Sequence, residues 1–375
     1  MISLARSTLR HEWRRYLAAV MALSFSALLV IVQLGLLLGM FSTVSVVVDK
    51  SRADLWVSSL NIPSFDMARE MPARNEVFLR LHPEVEKVQK LDFSMADWRA
   101  PDGTKAVAVV IALDTDSDSL SLPVNFTERQ RKLLEEPMSV IVDSADIKKL
   151  KVRTGDIAEL NKKRIKVASV VSGFRNIGGV YIFVSRYTSK LLFGNALDYD
   201  RTQFFLLKLR NHRRAVEIKD ELNKNSRDKY SVWIPQELSG KSQRYWLFES
   251  GAGVGFGFSS LLGLLVGVAI TSQTLRGAIL ASIREYATLR ALGVPLGCLR
   301  NVVLEQSFWV GLTGLCVSGI LTGGILMIAN IYQISIKIPI WSVSFTVIFT
   351  MLIAMLSGLL ALRILYKSEP AELLR

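Results

Sequence analysis

The chain has 375 residues, half of them hydrophobic, and a formal net charge of +13. Its charges are unevenly placed. None occurs between Arg15 and Asp49, Glu249 and Arg276, Glu305 and Lys337, or Lys337 and Arg363. A bilayer core of roughly 30 Å takes about 20 apolar residues of helix, whereas helices of soluble cores average roughly 10–14 residues. The composition therefore excludes a soluble protein and predicts four membrane spans.

Residues 43–250 hold 34 Lys and Arg against 28 Asp and Glu, and the rest of the chain holds 12 against 5. Of those 12, Arg6, Arg10, Arg14 and Arg15 precede the first span, and Arg276, Arg284, Arg290 and Arg300 lie between the second and third. Arg363, Lys367 and Arg375 follow the fourth. Basic residues in short flanks stay in the cytoplasm. Both termini are thus expected inside and the long segment outside, its own basic excess having little weight because long domains translocate regardless of charge. The surplus basic charge is assigned to topology and to anionic membrane lipids, and no nucleic-acid partner is expected.

In chain order, 1–16 reads as a cytoplasmic amphipathic helix. Ile2, Ala5, Leu9, Trp13 and Tyr16 share one face and Arg6, Arg10 and Arg14 another. Residues 17–42 form the first span, too long for the apolar core of a signal peptide. Residues 43–250 form the extracytoplasmic domain, expected to be mixed α/β. Strand-like runs are Asp54–Val57, Ala106–Leu113, Ser139–Val142, Ile165–Val171, Val180–Val184 and Phe204–Leu209. Helix signals alternate with them. Thr127 with Gln130 forms a capping box, Asp143 is placed to cap a helix reaching Leu150, and Ala215, Ile218 and Leu222 form an apolar stripe. Gly155-Asp156 and Gly178-Gly179 mark turns, and Gly173–Gly179 is one candidate subdomain boundary. A helix opening at Pro235 is expected to run on into the second span, and Thr43–Asp49 to prolong the first, making a stalk. Cys298 and Cys316 lie on or near the cytoplasmic side, so the outer domain has no disulfide.

The second span is 251–275, the cytoplasmic loop 276–306, the third span 307–330, a short outer loop 331–339, the fourth span 340–362 and the cytoplasmic tail 363–375. The spans hold no ionisable residue, which argues against ion-coupled transport and against a charged pore. Gln33 is the one strongly polar residue deep in the first span. Small residues at fourfold spacing, Ser259, Gly263 and Gly267, then Gly319 and Gly323, suit close helix packing or a dimer seam equally.

Searches for chemistry fail informatively. A phosphate loop, G-x-x-x-x-G-K-S/T, would need glycine at 235 ahead of Gly240-Lys241-Ser242, and Pro235 stands there. Asp114, Asp116 and Asp118 begin a calcium-loop pattern that Ser119 and Asn125 break. His11, His82 and His212 are scattered. No catalytic residue, metal site or directly bound cofactor is expected, so the chain reads as a non-enzyme.

The loop 276–306 carries the most specific signal. Ser282 with Glu285 makes a capping box, and Gly293 and Pro295 end a short helix. Ile283, Tyr286 and Ala287 share one side, with Leu289 beside Tyr286, Arg290 continuing that side and Arg284 flanking it. Such a helix suits docking into a partner's groove or contact with lipid, and the residues alone leave both open.

Arg284, Glu285, Tyr286, Ala287, Leu289, Arg290, Leu292 and Gly293 resemble the coupling helix of the FtsX/MacB family of ABC-transporter permeases. That family's pattern is R-x-x-E-I/Y-G/A-x-L-R/K-A-L/M-G, and the wording here is most similar to the DevC branch. Glu305 and the tail Glu369-Pro370-Ala371-Glu372-Leu373 resemble further family features, although Ser368-Glu369 replaces the usual Asp before the proline. The resemblance implies a MacB-like permease fold in a cell inner membrane, a homodimer, and a separate cytoplasmic ABC ATPase that holds the ATP and Mg. It implies mechanotransmission to the periplasmic domain and export of a lipid-like or other amphiphilic cargo, with a membrane-fusion protein and an outer-membrane channel. Two alternatives are an FtsX-like signalling scaffold regulating an extracytoplasmic cell-wall enzyme and a stand-alone membrane receptor.

Overall fold

The computed structural model describes residues 13–176, 179–194, 200–281, 288–289, 292–332 and 334–367. They form two compact units. One comprises residues 40–254; the other comprises residues up to 39 and from 255 onward.

In the helical unit, α1 (Trp13–Ser42) precedes the outer domain, whose first short helix is α2 (Val46–Asp49). After that domain come three long helices of 30, 36 and 28 residues: Ala252–Ala281, Leu296–Ile331 and Ile340–Lys367. Tyr16–Ser42, Gly297–Ile331 and Ile340–Leu359 are each long and apolar enough to cross a membrane. Ala252–Ala281 has the length as well, and its first charge is Arg276. Where the helices meet, Tyr16, Ala19, Leu23, Leu299, Val303, Val310 and Ala354 form a buried cluster. Tyr16 donates its hydroxyl hydrogen to Gln306 Oε1 at 3.3 Å within it, which answers a polar group that hydrocarbon would leave costly.

Close approach in this unit is set by glycines. A Cβ on Gly311 would touch Met351, one on Gly314 would touch Leu23, and one on Gly358 would meet Ser307. On α1, Gly35 and Gly39 admit the loop at 335–338: a Cβ at 39 would clash with the Ser335 carbonyl, and the Lys337 N–H donates to the Gly35 carbonyl at 3.0 Å. Gly35 and Gly39 have the same fourfold spacing as the small residues of the later helices.

The outer domain is mixed α/β. Its strands are β1 (Leu55–Ser58), β2 (Met71–Pro72), β3 (Val85–Arg99), β4 (Lys105–Leu113), β5 (Ser139–Asp143), β6 (Ile157–Leu160), β7 (Lys163–Val171), β8 (Val180–Ser185), β9 (Arg201–Thr202), β10 (Phe204–Leu209) and β11 (Ser231–Trp233). Between them lie α3 (Asn75–Arg80), α4 (Glu128–Glu135), α5 (Ile147–Leu150), α6 (Arg186–Phe193), α7 (Ala215–Asn225) and α8 (Pro235–Arg244). Nine strands pair in the order β11-β1-β10-β3-β4-β8-β5-β7-β6, and β6 pairs back onto β3. The last six therefore close into a ring, while β11, β1, β10 and the start of β3 make an open antiparallel sheet.

β3 belongs to both parts. Val85–Leu91 pairs with β10, and Asp92–Arg99 pairs with β4. One side of the ring encloses Trp98, Val110, Val140, Val142, Val167, Ile182 and Val184. The alternate residues Val109, Ile111, Ile141 and Phe183 belong to a second core with Trp56, Phe65 and Phe204. A third, including Leu79, Phe205, Leu207, Ile218 and Leu222, lies on the other face of the open sheet. Strands buried on both faces read as continuous apolar runs, which is why β4, β5, β8 and β10 were visible in the sequence, while β7, exposed at Lys163, Arg164 and Lys166, was visible through Ile165–Val171. Their edges agree with expectation to within two residues.

Three expectations are revised. The stalk helices are interrupted: α1 ends at Ser42 and α2 restarts at Val46, while α8 passes into a π-helical turn at Tyr245–Glu249 and stops at Gly251, whose φ is +72°. Only glycine adopts that left-handed backbone cheaply, so Gly251 separates α8 from the membrane helix. Asp143 does not cap α5. Its carboxylate accepts from the backbone N–H groups of Ala145 (2.8 Å) and Phe174 (2.6 Å), pinning the loop after β7. Gly173–Gly179, with 177–178 outside the described residues, joins two strands of the ring rather than two subdomains. The Thr127–Gln130 capping box and the Ile218–Leu222 stripe form as expected.

Candidate coupling segment and ionic junction

The segment 276–306 joins two membrane helices, here α9 (Ala252–Ala281) and α10 (Leu296–Ile331), and α11 (Ile340–Lys367) follows. Arg284, Glu285, Tyr286, Ala287 and Arg290 lie outside the described residues. At the segment's end, the Leu292 N–H donates to the Thr288 carbonyl (3.0 Å) and the Val294 N–H to the Leu289 carbonyl (3.1 Å). Gly293 sits between them at φ +90°. This six-to-one bond across a left-handed glycine is a Schellman stop. Pro295, lacking an N–H, then leads into α10.

The stop places two leucines differently. Leu289 is half-buried and packs with Val294 and Val302 against the cluster around Leu299 and Val303. Leu292 is 77% exposed. Leu289 is thus seated on the chain's own helices. Leu292 is the apolar side chain offered outward.

Of the small-residue ladders, Ser259, Gly263 and Gly267 lie on α9, and the Ser259 hydroxyl donates to the Gly255 carbonyl (3.1 Å). A Cβ at Gly319 or Gly323 on α10 would have open space around it. Those two glycines are not used for packing within the described chain, unlike Gly311 and Gly314 earlier on the same helix.

In the outer domain, the two parts of the sheet meet at Asp92. Arg186, the first residue of α6, donates to Asp114 (2.8 Å), to Asp92 (3.2 Å) and to the Lys90 carbonyl. Burial opposes its charge, and Asp114 and then Asp92 outweigh that and hold its pKa above the usual value. Asp92 also accepts from the Thr202 hydroxyl (2.7 Å) and the Gln203 N–H (3.0 Å). Asp114 is thus an ion-pair residue, and Asp118 is held below the usual carboxylate range by a hydrogen bond from Lys87. His82 bonds Glu221 at 3.1 Å. Lys50, just after α2, donates to the Gly173 carbonyl (2.6 Å) and lies 4.3 Å from the centre of the Phe174 ring. Gly240, Lys241 and Ser242 lie inside α8, the Ser242 hydroxyl donating to Leu238 and accepting from the Phe65 N–H.

Residues 257–370, from the second membrane helix through the coupling segment to the tail, match the family described as FtsX-like permease C-terminal. No curated protein matches this chain. Among solved structures it is similar to the periplasmic region of MacB from Actinobacillus actinomycetemcomitans, at 12% identity over 52% of this chain and 94% of that one, TM-score 0.34. The extracellular domain of the noncanonic ABC-type transporter YknZ from Gram-positive bacteria is similar at 13% identity over 48% and 98%, TM-score 0.32. A domain of a putative permease protein from Porphyromonas gingivalis is similar at 11% over 40% and 71%, TM-score 0.27.

Proposed function

We propose that this permease is the membrane subunit of an ABC-type export system of the MacB kind, nearest its DevC branch, working as a homodimer in a cell inner membrane with both termini cytoplasmic. A separate cytoplasmic ATPase binds ATP and Mg, and the permease turns its cycle into movement of the periplasmic domain. The cargo is lipid-like or otherwise amphiphilic, passed on through a membrane-fusion protein and an outer-membrane channel. The observation that carries this reading is that the family match contains the whole segment 276–306, whose Schellman stop leaves Leu292 77% exposed.

The roles follow from chemistry. Leu292 is an apolar anchor for a groove in the ATPase, and Glu285 pairs with a basic residue at its rim. Leu289 holds the segment against α10, so that a push on the anchor reaches the spans as a rigid displacement. The uncharged spans fit a machine that moves its outer domain without conducting ions. The open glycines Gly319 and Gly323, with Ser259, Gly263 and Gly267, are offered as dimer or helix-packing contacts. ATP is assigned to the partner because Gly240–Ser242, the nearest approach to a phosphate loop, is committed to α8.

The ATPase is first identified by copurification in mild detergent and mass spectrometry. A buried interface anchor is often worth about 2 kcal/mol or more, so Leu292→Asp is expected to weaken association more than tenfold. Glu285→Lys is expected to impair coupling more than Glu285→Gln, because it reverses the sign of the pair. Insertion and dimer formation should survive each change. Wild-type association, ATP turnover and export in both Leu292→Asp and Glu285→Lys would reject the coupling role.

A further inference from the structure

Two cavities in the outer domain differ in their electrostatics. The first, about 460 Å3, surrounds Asp92 and Arg186. Most of its cations are already answered: Arg186 by Asp92 and Asp114, Arg80 and Lys90 by Glu76, Arg201 by Glu70 and Lys87 by Asp118. These pairs leave that cavity's charge largely compensated.

The second cavity, about 700 Å3, is lined by Pro72, Arg74, Asn75, Val77, Phe78 and Lys229. That volume is within the range of small-molecule sites, roughly 300–1,000 Å3. Its floor is apolar and open to solvent, Val77 being 58% and Phe78 46% exposed. The Lys229 ammonium stands 4.4 Å from the centre of the Phe78 ring. No carboxylate lines the cavity among the described residues, and neither Arg74 nor Lys229 makes an ion pair there. Glu76, on the same helix α3, is engaged by Arg80 at 2.7 Å and Lys90 at 3.6 Å, both of which line the first cavity. Two cations with no carboxylate partner among the described residues, beside an exposed apolar floor, complement a ligand with one negative group and one apolar chain. A neutral apolar ligand would gain nothing from the cations, and a cationic one would be repelled.

We propose that this cavity binds a single-chain anionic amphiphile, its head met by Arg74 and Lys229 and its chain laid over Val77 and Phe78. That the bound molecule is the cargo rests on the export reading above; the site itself rests on the cavity's chemistry.

The test uses the full chain in phosphatidylcholine nanodiscs. Two probes carry a chain diazirine: dodecyl phosphate and dodecyl phosphocholine, which differ in net charge at the head. After irradiation, labelled residues are mapped by mass spectrometry. The phosphate probe should label 72–81 at least tenfold more than the phosphocholine probe. Raising the salt to about 1 M should weaken that preference in the unmodified protein. Arg74→Glu with Lys229→Glu should lower phosphate labelling at least tenfold, and Lys105→Glu, at an exposed strand end, should leave it unchanged. Equal labelling by both probes, or labelling indifferent to the double reversal, would overturn the proposal. So would no labelling of 72–81 by either probe, the result expected of a surface kept for an acidic protein segment. Labelling that persists while Leu292→Asp leaves coupling intact would sink the export reading alone. Lost labelling with coupling abolished by Leu292→Asp would sink the site alone.

Discussion

Asp146 precedes α5, with its Oδ2 buried and without a hydrogen-bond partner among the described residues. Burial, and then the nearby Asp143, push its pKa up to about 6. The folded state therefore holds a proton that the unfolded chain, titrating near 4, has released. Between those values stability falls as pH rises, because the folded state binds more protons than the unfolded one. The penalty is fully present above pH 6 and absent below about pH 4. A shift of about two units corresponds to about 3 kcal/mol at most. Asp146→Asn should raise the thermal unfolding midpoint of the outer domain at pH 8 and leave it unchanged at pH 4. A midpoint raised equally at both would mean that the gain comes from packing and not from the charge.

At the scale of elements, the glycines of the long helices separate into two kinds. Gly39 on α1 is filled by the backbone of the loop at 335–338, and backbone cannot turn aside as a flexible side chain can. Gly39→Ala should cost about 1–3 kcal/mol by overpacking, read as a lower unfolding midpoint in detergent. Gly319→Ala on α10 meets nothing within the described chain and should be neutral or slightly stabilising, since alanine is the better helix former by up to about 1 kcal/mol. Equal losses from the two substitutions would refute the distinction. The same contrast governs the breaks. Gly251 and Gly293 occupy left-handed backbone and end elements, whereas Gly240, inside α8, ends nothing. The long β3 is the element that unites the outer domain, since it leaves the open sheet and enters the ring at Leu91–Asp92. Arg186 ties that crossing to the end of β4 through Asp114.

For the whole molecule, the governing asymmetry is the placement of Arg and Lys. Eleven of the twelve basic residues outside 43–250 flank the sides assigned to the cytoplasm, Lys337 being the exception. A phosphatase reporter fused near Asp116 should be active, and one fused after Arg375 inactive. The opposite pattern would remove the footing for an ATPase at 276–306. Under the proposed orientation, segment 276–306 lies on the cytoplasmic side and residues 43–250 on the other.

The sequence alone determined the four apolar helices, the position of the outer domain, its mixed α/β class and the strands of its two-faced core. These rest on local quantities: length without charge, continuous apolar runs, caps and stops such as Thr127–Gln130 and Gly293. It did not reveal β3, whose charged run Glu86, Lys87, Lys90 and Asp92 carries no clean alternation, because one strand serves two differently packed partners. Tertiary structure decided which leucine of the coupling segment is held and which is offered, since Leu289 and Leu292 differ only in what packs beside them. It decided that Gly35 and Gly39 receive a loop while Gly319 and Gly323 stay open. It also decided that Arg186 meets Asp92 and Asp114, whereas Arg74 and Lys229 face no carboxylate among the described residues. Charge and apolarity belong to residues and can be read in order along a chain, but compensation belongs to pairs that only folding brings together.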